Sequence, residues 1–291
     1  MLSAQTRTES TASAPIRSVG IVGLGVMGGS LAKALREAEQ GFEIVGWSTS
    51  PTDLDAAESA GVLSRRASSL DDAVADVDLI VLAVPLLATC ELVGRLAGSL
   101  GEDTILHDVA SLKGPVQAAV RTNGLEHRWV GAHPMCGSEA SGFAAARSDL
   151  YDGARVWIVG DDFAELNMGR VEALWRSLGA DLHRTDASAH DELMGLASHL
   201  PQLTANLLAS ALAGAGVSAA ELGPGGSDVT RLAQSSPEIW MDILSHAPES
   251  LPHALRRLGS EATHLADALD AGDLDALRAL MEKTRGWRKG S

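Results

Sequence analysis

The feature that most constrains this chain is a glycine-rich turn between an apolar strand and a helix. Gly23, Gly25 and Gly28 form G-L-G-V-M-G directly after the run SVGIV, and apolar residues then recur at helical spacing. In such a turn the first glycine permits the tight bend, the second lets the main chain approach a pyrophosphate, and the third allows close packing of helix on strand. The pattern predicts a dinucleotide site that includes Val26 and Met27.

Apolar runs alternate with helical stretches through the first half of the chain. After the first strand, the runs lie at residues 42–47, 77–85, 104–111, 127–134 and 154–160. Runs without polar alternation indicate strands that are covered on both faces, and the intervening stretches are long enough for crossover helices. We therefore predict an α/β fold with a doubly wound, mostly parallel Rossmann-type sheet.

The second half of the chain reads as helical throughout. After Asp186, apolar residues recur at spacings of three and four, without a credible strand. We predict a disordered N-terminal extension over residues 1–15, a dinucleotide-binding domain over 16–185 and an all-α domain over 186–291.

Composition excludes several classes of partner. Lys and Arg number 23 against 38 Asp and Glu, and the formal net charge of −15 repels nucleic acid and anionic membranes. The apolar runs are too short and interrupted for a membrane span. Cys90 and Cys136 are the only cysteines in the sequence, so neither a disulfide framework nor a metal site is expected. A reducing, cytoplasmic compartment fits this pattern.

The second strand bears on the choice of cofactor. A carboxylate that binds the adenosine ribose usually follows this strand, but Ser48 and Thr49 occupy the place here. Hydroxyl groups do not repel a 2′-phosphate, so the sequence favours NADP over NAD, although no arginine follows and NAD stays open. Val84 and Pro85, at the end of the third strand, are further predicted cofactor contacts.

Chemically active side chains follow the later strands. Ser111 and His133 end two of the apolar runs, and a sheet of this class binds its ligands beyond the carboxyl ends of its strands. A neutral imidazole suits a general base for a hydroxyl proton near pH 7, so His133 is the predicted base. An anionic ligand would need a local cation against the negative net charge, and Arg231 is the candidate.

These motifs together resemble the prephenate and arogenate (cyclohexadienyl) dehydrogenases. The resemblance is carried by GLGVMGGSLA, DVASLKG, HPMCGSEASG, SHLPQ and GGSDVTRLA, and it covers residues 18–285. It implies oxidative decarboxylation of prephenate or arogenate with NAD(P), in tyrosine biosynthesis. His133 would accept the ring hydroxyl proton, Ser111 would bind that hydroxyl and orient His133, and Arg231 would bind the ring carboxylate.

The resemblance implies further roles. Glu139 and Lys113 would lie near the substrate and the cofactor, His199 and Gln202 would line the substrate pocket, and the helical domain would form a homodimer. Two departures leave the substrate open: Gln202 stands where a second histidine is common, and Gly226 and Ser227 are smaller than usual.

Three alternatives accompany this interpretation. A 4-amino-4-deoxyprephenate dehydrogenase would share the motifs, as would a non-catalytic NAD(P)-binding sensor. The β-hydroxyacid dehydrogenases begin similarly but rely on a lysine in the helical half, and residues 190–245 contain none.

Overall fold

The strands form where the apolar runs lie. The structure is a computed structural model that describes residues 14–137, 140–161 and 164–290. The strands within these ranges are β1 (Ser18–Val22), β2 (Glu43–Trp47), β3 (Arg65–Arg66), β4 (Leu79–Leu82), β5 (Ile105–Asp108), β6 (Trp129–Pro134), β7 (Arg155–Gly160) and β8 (Asp181–Arg184).

Helices connect most of these strands and follow the last of them. They are α1 (Val26–Glu37), α2 (Pro51–Ser59), α3 (Leu70–Val74), α4 (Leu86–Leu96), α5 (Gly114–Thr122), α6 (Glu165–Ser177), α7 (Ala187–Met194), α8 (Leu200–Gly214), α9 (Pro224–Thr230), α10 (Pro237–Leu244), α11 (Ser250–Asp270) and α12 (Leu274–Lys289). A π-helical segment, Gly195–His199, joins α7 to α8.

All eight strands belong to one sheet in the order β3-β2-β1-β4-β5-β6-β7-β8. Neighbouring strands are parallel except for β6 and β7. This confirms the predicted doubly wound, mostly parallel sheet followed by helices. The strand order reverses between β1 and β4, which opens a crevice at their carboxyl ends.

Two strands, β3 and β8, were not predicted. β3 has two residues, both exposed arginines, and β8 reads D-L-H-R without a buried residue. Neither has an apolar run, so hydrophobic patterning could not mark them. They form because β2 and β7 offer backbone partners at the sheet edges.

Apolar side chains fill both faces of the sheet. Every residue of β4 and β5 is buried. One core packs α1 and α6 on one face, with Leu31, Leu35 and Trp175 among its members, and a second core contains Val93 and Val116 of α4 and α5. The continuous apolar runs therefore reflect strands that are covered on both sides.

The chain divides into two compact units. The first comprises the residues up to Asp191 together with Gln234–His246, and the second comprises Glu192–Ala233 and the residues from Ala247 onward. Helix α10 thus belongs to the first unit, where Ile243 is buried in the core that also contains residues of α4. The predicted domain boundary between residues 185 and 186 stays a prediction.

The second unit is helical. Gly195 allows a close approach of the π-helical segment to the start of α11, because a Cβ at this position would lie 2.6 Å from Cγ of Pro248. Long apolar side chains on α11 and α12 are exposed, among them Leu269, Leu274 and Met281. No helix in the described ranges has both the length and the apolar composition of a membrane span.

Candidate active site

The glycine turn between β1 and α1 is shaped by contacts that exclude side chains. Gly23 has φ of 93°, a left-handed conformation that favours glycine, and its added Cβ would lie 2.4 Å from the carbonyl oxygen of Ala83. At Gly28 an added Cβ would lie 1.8 Å from the carbonyl oxygen of Gly23. Gly23 and Gly28 therefore set the shape of the turn.

Gly25, unlike Gly23 and Gly28, has open space where a side chain would begin. It is the N-cap residue of α1, without a side-chain cap, and its added Cβ would meet nothing within 4 Å. The helix N-terminus thus presents backbone N–H groups and a partial positive charge beside open space. These features fit the pyrophosphate of a dinucleotide cofactor.

A cavity of about 550 Å³ lies at the carboxyl ends of β1, β4, β5 and β6. It is lined by seven predicted site residues, which are Gly25, Val26, Met27, Val84, Pro85, Ser111 and His133. These residues come from four separate segments of the chain. The sheet topology brings them together because parallel strands present their carboxyl ends at one edge.

The loop after β6 packs on α1, the helix that follows the glycine turn. Within the residues that the structure describes there, the Tyr151 hydroxyl donates to the carbonyl oxygen of Met27 at 2.7 Å, and Nζ of Lys33 donates to that of Ala146 at 2.5 Å. These two hydrogen bonds join the described part of that loop to α1. These contacts were not predicted, because they join residues more than a hundred positions apart.

His133 belongs to a chain of side-chain hydrogen bonds. Its Nδ1 lies 2.9 Å from Nε2 of His190, and Nδ1 of His190 lies 2.7 Å from Oδ1 of Asp191. The Asp191 carboxylate also accepts from the backbone N–H groups of Lys113 and Gly114, each at 2.8 Å. The sequence analysis did not single out His190 and Asp191, although a histidine followed directly by an aspartate is a pattern that can indicate a hydrogen-bonded pair.

Lys113 does not line the cavity. It is fully buried, forms an ion pair with Asp108, and donates from Nζ to the carbonyl oxygen of Ala132 at 2.6 Å. Burial lowers the pKa of its ammonium group, although Asp108 opposes that shift. The charged end of Lys113 points into the protein, and the predicted contact of Lys113 with the cofactor stays a prediction.

The Asp108–Lys113 pair connects the two strand ends that carry the candidate catalytic residues. Oδ1 of Asp108 accepts from the backbone N–H of Ala110 at 3.0 Å, one residue before Ser111. Oδ2 accepts from Nε1 of Trp129 at 2.8 Å, at the start of β6. The pair thus links β5 to β6.

The segment after β2 lies outside the residues that line the cavity. Ser48 accepts a hydrogen bond from the backbone N–H of Ser50 at 3.1 Å, and Ser50 caps α2 by accepting from that of Asp53. Thr49 is exposed. No carboxylate occupies positions 48–50, as the sequence indicated.

Three further predicted residues come from the helical half of the chain. Arg231, His199 and Gln202 belong to the second unit. Gln202 is buried, and its Nε2 donates to the carbonyl oxygen of Leu232 at 2.7 Å, which supports the segment next to Arg231. His199 is buried at the end of the π-helical segment, a distortion frequent at functional sites. Glu139 lies outside the described residues.

Unpredicted side chains also line the cavity. Ile239, Asp242 and Ile243 of α10 contribute to the wall, together with Cys136. Burial raises the pKa of the Cys136 thiol to about 11, so the group stays protonated at neutral pH. Within the described ranges, no cluster of three His, Cys, Asp or Glu side chains is arranged to hold a metal ion.

Replacing Gly25 with alanine should weaken cofactor binding without affecting stability. Its φ of −69° is accessible to any residue and the added Cβ meets no protein atom, but it would enter the space that the pyrophosphate requires. We expect the cofactor Kd to rise about tenfold, which is about 1.4 kcal/mol. Titration calorimetry and thermal melting would measure the two effects. Gly28→Ala is the control and should lower the Tm, whereas an unchanged Kd for Gly25→Ala would contradict the assignment.

Comparison with known proteins gives matches along most of the chain. Residues 31–183 match the family model for the prephenate dehydrogenase nucleotide-binding domain, and residues 186–283 match that for the prephenate dehydrogenase dimerization domain. Prephenate dehydrogenase of Bacillus subtilis (strain 168) is 27% identical over 281 residues, which are 93% of this chain and 75% of that protein.

Two further relatives extend the comparison. The 4-amino-4-deoxyprephenate dehydrogenase of Streptomyces pristinaespiralis is 28% identical over 238 residues, covering 78% of this chain and 76% of that protein. A solved structure of prephenate dehydrogenase from A. aeolicus, in complex with hydroxyphenyl propionate and NAD+, aligns with a TM-score of 0.85 at 27% identity. That alignment covers 95% of this chain and 98% of the other.

Proposed function

We propose, from the premise that this chain belongs to the prephenate dehydrogenase family, that it oxidises and decarboxylates prephenate or arogenate with NAD(P). The chain is an oxidoreductase with a Rossmann-type nucleotide-binding domain. The observation that carries the proposal is that His133 and Ser111 line the same cavity as the N-terminus of α1. A proton acceptor and a cofactor site therefore meet in one space, as oxidation of a carbinol requires.

The predicted catalytic and substrate-binding residues each have a proposed task. A nicotinamide cofactor bound at Gly25, Val26 and Met27 would supply the acceptor for the hydride that leaves C4 of the ring. His133 takes the proton of the C4 hydroxyl, and Ser111 hydrogen-bonds to that hydroxyl and keeps it within reach. When the ring carboxylate leaves as CO2, its bonding electrons aromatise the ring, and His133 returns the proton to the new phenol oxygen. Arg231 is the proposed carboxylate-binding residue, and His199, Gln202 and Glu139 are the proposed residues of the substrate pocket, as the family resemblance implies.

The proposed cofactor is NADP. The support is the absence of a carboxylate after β2, where Ser48 and Thr49 offer hydroxyl groups to a 2′-phosphate. Gly23, Gly25, Val26, Met27 and Gly28 form the proposed pyrophosphate site, and Val84 and Pro85 contact the cofactor from the end of β4.

A second candidate substrate is 4-amino-4-deoxyprephenate. It is supported by the similarity to the Streptomyces pristinaespiralis enzyme of that name and by Gln202, which replaces a common histidine. Asp242 adds an acidic group to the cavity wall, and a carboxylate favours a substrate that carries an ammonium group. Arogenate and the amino-deoxy compound share that feature.

The proposed assembly is a homodimer through the helical domain, in the cytoplasm. Its support is the dimerization-domain match over residues 186–283 and the exposed apolar side chains of α11 and α12. The two free cysteines fit a reducing compartment.

A matrix of initial rates tests the proposed function. Prephenate, arogenate and 4-amino-4-deoxyprephenate would each be incubated with NAD and with NADP, and reduced nicotinamide would be followed at about 340 nm. We expect the highest kcat/KM for prephenate or arogenate with NADP. Highest activity with the amino-deoxy compound would select the second candidate, and cofactor binding without turnover in any combination would indicate a sensor.

A further inference from the structure

We infer that His190 and Asp191 form a hydrogen-bonded relay that holds His133 in the tautomer with an unprotonated Nε2. The inference rests on the proposed role of His133 as the base, and it deepens that role. Its basis is the contact of Nδ1 of His133 with Nε2 of His190, and of Nδ1 of His190 with Asp191. All three residues belong to the first compact unit.

The direction of the relay follows from donor and acceptor chemistry. A carboxylate accepts hydrogen bonds and donates none, so the proton between Asp191 and His190 belongs to Nδ1 of the histidine. A neutral His190 then has its lone pair on Nε2, which accepts from the Nδ1–H of His133. The lone pair of His133 consequently lies on Nε2, the nitrogen that takes the substrate proton.

Asp191 is held in the orientation that this relay needs. Its two oxygens accept from the backbone N–H groups of Lys113 and Gly114, at the N-terminus of α5. Ser111 lies two residues before that terminus, so the relay connects the base to the segment of its partner hydroxyl.

His190 is confined on its other sides as well. Its side chain is completely buried, and the ring of Trp157 meets it edge-on with the centroids 6.5 Å apart. Trp157 is also the register partner of His133 across β6 and β7. Packing thus leaves the His190 ring little room to rotate away from His133.

The relay has two consequences for the reaction. It prevents His133 from placing its proton on Nε2, which would remove the base. Once His133 has accepted a proton at Nε2, the positive imidazole is stabilised through His190 by the negative Asp191. His190 and Asp191 are therefore positioning residues, in the way that a carboxylate orients a catalytic histidine in hydrolytic triads.

Two substitutions of His190 separate this role from simple packing. His190→Leu fills the space but removes the acceptor, so we expect kcat to fall about 100-fold, with the KM values for cofactor and substrate changing less than about threefold. His190→Gln keeps a side-chain oxygen that can accept from His133, and it should recover at least about tenfold of that loss. His183→Leu is the matched control, because His183 also pairs with an aspartate, Asp181, but lies on the edge strand β8 and is not a member of the relay.

A spectroscopic measurement tests the tautomer without any turnover. Long-range ¹H–¹⁵N correlation spectra of ¹⁵N-histidine-labelled protein distinguish Nδ1–H from Nε2–H imidazoles, and the His133 signals are identified by their loss in His133→Asn. We expect Nδ1–H in the wild type and a shift towards Nε2–H in His190→Leu. A wild-type His133 protonated on Nε2, an unchanged tautomer in His190→Leu, or a kcat of that variant within threefold of wild type would each overturn the relay. Because the spectra need no substrate, failure of the proposed activity alone would leave this test intact.

Discussion

Replacing His133 with asparagine should lower kcat by about three orders of magnitude, within the range of about 10² to 10⁴ observed for general acid–base groups. Asparagine keeps an amide that can reach His190, but it has no group that accepts the ring hydroxyl proton. The cofactor Kd should change less than about twofold, because the turn at Gly25 is untouched. Steady-state rates with the substrate selected by the rate matrix and a fluorescence titration of the cofactor would measure both quantities.

His127 provides a matched control, because it lies close in sequence to the same strand, β6. His127 is exposed and precedes the start of β6, whereas His133 lies near its end. His127→Asn should leave kcat and the cofactor Kd unchanged. A kcat for His133→Asn within about tenfold of wild type would be far smaller than loss of a general base allows and would remove His133 from the proposed reaction.

The second large effect concerns stability. Lys113→Met should reduce the free energy of unfolding by about 3–5 kcal/mol, because it leaves the Asp108 carboxylate buried without its cation. Both side chains of this pair are almost completely inaccessible to solvent, at 0% and 1% exposure. Methionine matches the length of the lysine stem, so loss of packing contributes little. Urea unfolding of the wild type and the variant would give the difference.

Two comparisons make this prediction specific to burial. Arg65 and Asp72 form an ion pair at 41% and 33% exposure, and Arg65→Met should cost at most about 1 kcal/mol. Combining Lys113→Met with Asp108→Asn removes the uncompensated charge and should recover part of the lost stability. A cost for Lys113→Met no larger than that for Arg65→Met would mean that the buried pair contributes no more than a surface pair.

The buried pair also explains why one sequence motif serves two purposes. In DVASLKG, Asp108 and Lys113 point into the protein and form the ion pair, while Ser111 between them lines the cavity. The cofactor contact of Lys113 is implied by the family resemblance and stays a prediction. The burial of Lys113 depends on how β5 and β6 pair, and the local sequence pattern does not encode that pairing.

The sequence by itself determined the six strands that carry apolar runs in the first half and the position of the glycine turn. These are local properties: apolar runs mark strands that are covered on both faces, and only glycine fits the backbone at Gly23 and Gly28. The motifs likewise singled out His133 and Ser111, which line one cavity because they lie at or just after the carboxyl ends of strands that meet at one edge of the sheet.

Only the tertiary structure decided which distant residues support them. His190 reaches His133 across 57 positions, and Asp191 reaches the backbone of Lys113 across 78. Such hydrogen bonds form only after the chain between the partners has folded, so their presence depends on geometry that no local spacing encodes. The same reason applies to the edge strands β3 and β8, which have too few apolar residues to form without a neighbour already in place.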